Sequence, residues 1–466
     1  MSSRKRLGVS SAVAAILLII GLIIGAAGGY FVTASAPPVT TTITKPTTVT
    51  QTATATLTST ATVTQAPVTA TVTSTVMSTT TATGAGARLS GEIPVGALMS
   101  LSGDLASFGK RESTALKIAE KEINDWLKQS GQAWTFKIIE EDTATQPALA
   151  LQKLQSLAAR GVKLVIGPLS SGELRNIKGY ADSNRILVVS QSSTAPALAI
   201  PDDYVFRLVP DDNFQGKALS KLISSAGVEH VVVIYRGDAW GDGLQDAFSK
   251  EFSKAKGEVA QIRYNPDAKD FSAELSGANT KVGDWVKSYG ASKVAVLDIS
   301  FDEAALILLQ AKDYPNLVGV AWYGTDGTAQ NSRVISDAGD TAAKVKLYST
   351  IFAATSSPKY DKLRSQVKAA IGEDPEIYSY TIYDIAWTLA IAIATTGVYD
   401  ASAIKQIYPT VCANYFGASG WTLLNEAGDR AGGDYDIWGV VKTPQGTYDW
   451  AKVAIYNFAS DSVTWM

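Results

Sequence analysis

The residues whose types and spacing could do chemistry are concentrated in one run, Gly167-Pro168-Leu169-Ser170-Ser171-Gly172, where adjacent serines follow an apolar segment. A nucleophile elbow needs Gly-x-Ser-x-Gly, with the serine raised on a tight strand-to-helix turn. Leu169 stands where that serine would be, so the run is no elbow. The sole histidine, His230, precedes a different apolar run and reads as a solvated or capping residue rather than a general base. Cys412 is the only cysteine, which excludes an intrachain disulfide and a Cys/His zinc site within one chain. No Gly-Lys-Ser/Thr loop and no Gly-x-Gly-x-x-Gly turn follows an apolar run. Glycosidases need only a pair of carboxylates, and nothing singles out such a pair here. The expectation is therefore a protein that is not an enzyme, with no catalytic residue, no metal and no cofactor. Serine hydroxyls and free backbone N–H groups near a helix start can instead donate to an anion.

Such residues need elements to hold them. From Glu92 onward short apolar runs alternate with amphipathic stretches, the pattern of parallel α/β architecture. Ile93 to Leu98 reads as the first strand, and a helix follows from about Lys110 to Gln129. Leu116, Ala119, Ile123, Trp126 and Leu127 recur there at three- and four-residue steps and share one face. Thr135 to Glu140, Val162 to Ile166, Ile186 to Val189 and Tyr204 to Leu208 read as further strands, with Pro147 opening a helix. A second series follows: Val231 to Tyr235, Val259 to Tyr264, Val294 to Ile299 and Val318 to Tyr323, with a helix over Ala304 to Ala311. Two series imply two similar lobes. Polar turns follow the strands ending at Leu98, Ile166, Val189, Tyr235, Ile299 and Tyr323, and in open parallel sheets ligands bind beyond the carboxyl ends of strands.

Size and charge agree with this outline. Residues 88 to 466 exceed the length at which one core stops growing, so two lobes are expected. A net charge of -3 and a pI near 5.5 provide no basic face for nucleic acid.

The loops carry a recognisable set of marks. They are Ser100-Leu101-Ser102-Gly103 with Phe108-Gly109; Ile166-Gly167-Pro168 with Ser170-Ser171; the stretch from Tyr204 through Arg207, Pro210 and Asn213 to Gly216; Asp270-Phe271-Ser272; Gly324-Thr325-Asp326-Gly327; and Tyr383-Asp384. In this order the chain resembles the leucine/isoleucine/valine-type extracellular solute-binding proteins of ABC importers, members of the periplasmic binding protein type I fold, from about Glu92 to Val441. The resemblance implies two Rossmann-like lobes with parallel sheets, joined by a hinge that the chain crosses near Asp211, Lys346 and Arg430. Residues 88–210 with 347–430 would form one lobe, and 211–346 with 431–466 the other.

The family's amino-acid site carries over by position. The ligand carboxylate would be held by Ser170 or Ser171 and by Thr194, and the ammonium by Asp326 from the opposite lobe and the carbonyl of Ser192. Phe108, Trp240 and Phe301, in loops, would wall the side chain, with Tyr383 and Tyr380 as weaker candidates in a helix-like stretch. Capping or turn shaping is the competing role for the serines, Thr194 and Asp326. Where the leucine-binding type usually has tyrosines, this chain has Trp240 and Phe301, which removes hydroxyls and adds apolar area. The implied function is capture of a small ligand, an apolar or branched-chain amino acid, and its delivery by a monomer to an ABC permease. Alternatives are a ligand-binding sensor and an amide, urea or aromatic-acid binder of the same fold; a surface-lattice or adhesion protein is a third class.

The N-terminal segment places this domain outside the cell. Arg4, Lys5 and Arg6 precede a strongly apolar segment from Val9 to Ala36. It reads as a pilin-like signal of archaeal surface type cut before the apolar run, a secretory signal cut after Ala34-Ser35-Ala36, or an uncleaved anchor. Residues 37 to 87 form a stalk, about half threonine between Thr40 and Thr83, too polar to offset its ordering entropy. As a coil it spans ~40 Å and as a stiff extended form ~150 Å, and O-glycosylation would favour the latter.

Overall fold

The computed structural model describes residues 89–466; the expected anchor and stalk lie outside the described residues. The first sheet contains β1 (Gly91–Met99), β2 (Trp134–Asp142), β3 (Leu164–Ile166), β4 (Leu187–Ser190) and β5 (Val205–Arg207). Their order is β2-β1-β3-β4-β5, all parallel. Helices α1 (Ala106–Gln129), α2 (Pro147–Ala159) and α3 (Ser171–Asn184) connect them. Because strand side chains alternate between faces, Val95, Ala97, Leu164, Ile166, Leu187 and Val189 meet α1 in one core, whereas Leu98, Val165 and Val188 meet α2 and α3 in another. With both faces covered, β3 and β4 are buried along their whole length.

The second sheet holds β6 (His230–Arg236), β7 (Glu258–Tyr264), β8 (Val294–Ile299), β9 (Ala321–Gly324), β10 (Tyr348–Phe352), β11 (Tyr435–Lys442), β12 (Tyr448–Asn457) and β13 (Ser462–Trp465). Its helices are α4 (Asp212–Ser225), α5 (Ala239–Lys254), α6 (Ser272–Tyr289), α7 (Ala304–Ala311) and α8 (Ser332–Lys344). The order is β13-β12-β11-β10-β9-β8-β6-β7. Pairing is parallel from β7 to β10 but antiparallel from β10 through β13. The expectation of wholly parallel sheets is thus corrected for the second lobe, whose last three strands follow one another without helices between them and so pair antiparallel, with β11 laid antiparallel on β10.

Helices α9 (Pro358–Ile371), α10 (Ile377–Thr396) and α11 (Ala401–Ala413) return to the first lobe. Strand β10 pairs with β9 and β11, so residues 348–352 belong to the second sheet. The crossing expected near Lys346 comes after Phe352 instead. Helix α10 is apolar enough to span a membrane by composition, with a mean hydropathy of 1.3, yet 83% of its most apolar window is buried. It is a core helix: Ile382, Ile385, Leu389 and Ile393 pack with Leu116, Ala119 and Ile123 of α1 in one cluster.

Two sequence expectations shift locally. Helix α1 begins four residues before Lys110, because its first turn docks on the β1 loop; a Cβ on Gly109 would lie 2.0 Å from the Ser100 carbonyl oxygen. The strand expected from Val318 starts only at Ala321, after a 3-10 turn at Leu317–Gly319. His230 is also buried rather than solvated, stacked on Tyr289 with ring centroids 4.0 Å apart.

Candidate functional site

The loops beyond the carboxyl ends of the strands meet between the two sheets and line one cavity. From the first lobe come Leu105, Phe108, Leu169, Ser170, Ser171 and Ser192. The second contributes Trp240, Phe301, Asp326 and Gly327. Glu112 of α1 and Tyr378 of α10 complete the lining.

The two serines differ in what their hydroxyls are free to do. Ser170 is the N-cap of α3: its Oγ accepts from Glu173 N at 3.2 Å and donates to Glu173 Oε2 at 2.7 Å, while its N–H donates to the same Oε2 at 3.1 Å. Ser171 Oγ accepts from Ser193 Oγ, Thr194 N and Ala195 N at 3.0, 3.2 and 3.1 Å. With its lone pairs engaged, Ser171 has its own proton left to donate, at the N-terminus of α3 where an anion is favoured. Gly167 permits the close approach of this loop: its φ is 91°, and a Cβ there would lie 2.2 Å from the Leu98 carbonyl oxygen.

Thr194 does not line the cavity. It stands behind Ser171, donating its N–H to that hydroxyl and accepting from Asp212 N at 2.9 Å, with its own hydroxyl unpartnered. Ser192 lines the cavity, but its Oγ donates to Leu169 O at 2.9 Å.

Asp326 follows β9 and is 5% exposed. Its Oδ2 accepts from Tyr378 Oη at 2.6 Å, and its Oδ1 has no partner. Burial pushes the carboxyl up to about 6, against the opposing hydrogen bond from Tyr378. Asp212, buried nearby, is pushed well above the carboxylate range by burial and then by the charge of Asp326. One unpaired acidic oxygen in a buried site is suited to an ammonium group.

The apolar wall is aromatic. Trp240 and Phe301 stack with centroids 4.5 Å apart and an interplanar angle of 20°, and the Arg236 guanidinium lies 4.6 Å from the Phe301 ring centre. Gly327 lies against both rings: a Cβ there would come within 2.9 Å of Trp240 and 3.0 Å of Phe301. Phe301 sits in a loop as expected, but Phe108 and Trp240 lie in the first turns of α1 and α5. For Trp240 the reason is the Asp238 cap, whose side chain accepts from Trp240 N and Gly241 N at 3.0 and 2.9 Å.

Tyr383 is the misplaced residue. Its hydroxyl donates to Glu122 Oε2 at 2.6 Å and its ring packs toward Trp387, outside the cavity. Tyr380 stacks on Tyr360 instead, at 4.4 Å. Tyr378 is the member of this helix that reaches the site, and at ~100° per residue it points about 140° away from Tyr383. Glu112 was equally unforeseen, although its position four residues after Phe108 places both on one helix face.

Contacts between the lobes border the cavity. Asp302 accepts from Ser107 Oγ at 2.5 Å and Ser107 N at 3.3 Å, and Arg236 pairs with Asp104 at 2.9 Å. Arg111 Nη1 donates to Gln330 O at 3.0 Å. These polar contacts join the two lobes beside a cavity lined by both apolar and polar side chains.

A model of the receptor family ligand-binding region matches residues 111–443. The chain belongs to this family, the type I periplasmic binding proteins. This type I binding protein is similar to an uncharacterised protein of Methanocaldococcus jannaschii, 36% identical over 393 residues that cover 80% of this chain and 91% of that one. Leu/Ile/Val-binding protein homolog 3 of Brucella melitensis is 25% identical over 353 residues, covering 74% and 90% of the two chains. A leucine binding protein from Thermotoga maritima superposes with a TM-score of 0.67 at 23% identity, covering 79% of this chain and 99% of that one, which shows the shared fold.

Proposed function

We propose that this binding protein captures one free α-amino acid, of the apolar or branched-chain class, between its lobes and delivers it as a monomer to an ABC permease. What carries the reading is that one cavity holds both an acceptor for an ammonium, Asp326 Oδ1, and a donor for a carboxylate, the Ser171 hydroxyl at a helix N-terminus. Leu105, Leu169, Phe108 and the Trp240–Phe301 stack supply the apolar remainder. A free amino acid of about nine heavy atoms has a binding limit near -13 kcal/mol, and micromolar affinity needs only about -8 kcal/mol.

Calorimetric titration of the full-length chain with free amino acids, amides and short aromatic acids tests this. Removing a charge-assisted partner should weaken amino-acid binding in Asp326→Ala by about 10- to 150-fold. Unchanged affinity in that variant would falsify the ammonium site, and binding of amides or aromatic acids alone would overturn the amino-acid ligand.

The segment up to Ala36 is proposed to hold the domain at the outer face of the membrane, with the threonine-rich stalk as spacer. Tethering would raise the collector's local concentration near its permease. N-terminal sequencing of the mature protein checks this, and a start after Ala36 rules the tether out.

A further inference from the structure

Glu112 and Phe108 project from the same face of α1 into the cavity, beside Leu105 and Leu169. The Glu112 carboxyl is fully buried. Its Oε2 accepts from Gln191 Nε2 at 2.6 Å, whereas Oε1 has no partner. The neighbouring buried Glu376 differs, because both of its oxygens are engaged at the start of α10 by Tyr378 N, Ser379 N and Ser379 Oγ. A buried polar atom without a partner is costly, and a ligand with a wholly apolar side chain would leave Oε1 in that condition.

We infer that Glu112 is a specificity residue, selecting among α-amino acids those whose side chain ends in a neutral hydroxyl or carboxamide reaching Oε1. This rests on the amino-acid reading and replaces its wholly apolar side chain with an apolar stem that carries one polar end. Burial, and then the charge of Glu376, push the Glu112 carboxyl well above the usual carboxylate range. A neutral carboxyl pairs with groups that both donate and accept, as hydroxyls and carboxamides do. An ammonium-bearing side chain would instead require the carboxyl ionised.

Near-isosteric pairs separate the polar contact from shape. Calorimetric titration of the full-length chain with threonine against valine, and asparagine against leucine, should show the polar member of at least one pair binding about tenfold or more tighter. In Glu112→Met that preference should shrink to within about threefold, because the side chain keeps its length and loses its polar atoms. Valine and leucine binding at least as tightly as their partners, lysine binding most tightly, or a preference that survives Glu112→Met unchanged would each overturn the inference while leaving amino-acid capture standing. Binding of no amino acid would overturn both. Should Glu112→Met fail to fold, the wild-type pairs decide the matter alone.

Discussion

The Tyr378 hydroxyl donates to Asp326 Oδ2 at 2.6 Å, joining the first turn of α10 in one lobe to the loop after β9 in the other. The bond stabilises the ionised form of a carboxyl that burial disfavours. In Tyr378→Phe the Asp326 carboxyl should rise further, and amino-acid affinity at pH 7 should fall about 5- to 10-fold. Calorimetry at pH 7 and pH 8 checks this: the loss should be smaller at the higher pH.

The Asp326 carboxyl at about 6 also sets a pH dependence. An ammonium ligand binds the ionised form, so affinity should be full above pH 6 and weaken about tenfold per unit below it. Without ligand the sign reverses. The folded protein holds a proton that the unfolded chain has already released, so this group's contribution to stability falls as pH rises from 3.8 to about 6. Flat titration results between pH 5 and pH 7 would exclude Asp326 as the ammonium partner.

Ser107 and Asp302 form a polar clasp between the lobes, each next in sequence to a cavity aromatic, Phe108 and Phe301, and reinforced by Asn331 Nδ2 donating to Asp302 Oδ1 at 2.8 Å. Ser107→Ala removes the side-chain half of the clasp, and ligand release should accelerate about 3- to 10-fold as the closed form loses one charge-assisted hydrogen bond. Association should change by less than about twofold. Stopped-flow fluorescence, reporting through Trp240, measures both rates; an unchanged release rate would mean that the clasp does not contribute to closure.

Arg207 and Asp429 form a bidentate pair at 2.5 Å for both bonds, with side-chain exposures of 0% and 2%. Around it the backbone of Arg207 donates to Gly428 O and accepts from Arg430 N, at 3.0 and 2.9 Å. The pair therefore ties the end of β5 to the segment that leads into β11, where the chain passes between lobes. Asp429→Ala leaves a buried guanidinium uncompensated and should lower stability by about 3–5 kcal/mol in chemical denaturation. A loss below about 1 kcal/mol would mean that solvent reaches Arg207.

The alternation of apolar strands with amphipathic helices was legible because it repeats within each segment: period two in the strands, near 3.6 in α1. From it, and from the resemblance at the loops, the sequence by itself determined that Phe108, Ser170, Ser171, Ser192, Trp240, Phe301 and Asp326 follow strand ends; that Phe108 and Trp240 stand in first helical turns rather than loops came from the structure. The tertiary structure brings all of them to one cavity. It alone decided which groups remain free there. Ser170 is engaged by Glu173 and Thr194 stands behind Ser171, while Ser171, Asp326 Oδ1 and Glu112 Oε1 keep capacity to bind. It also chose Tyr378 over Tyr383 and placed β10 in the second sheet. The reason is physical: strand and helix periods are local, whereas hydrogen-bond partners and helix phase depend on residues far apart in the chain. Tyr378 and Asp326 are separated by 52 positions, and no spacing rule joins them.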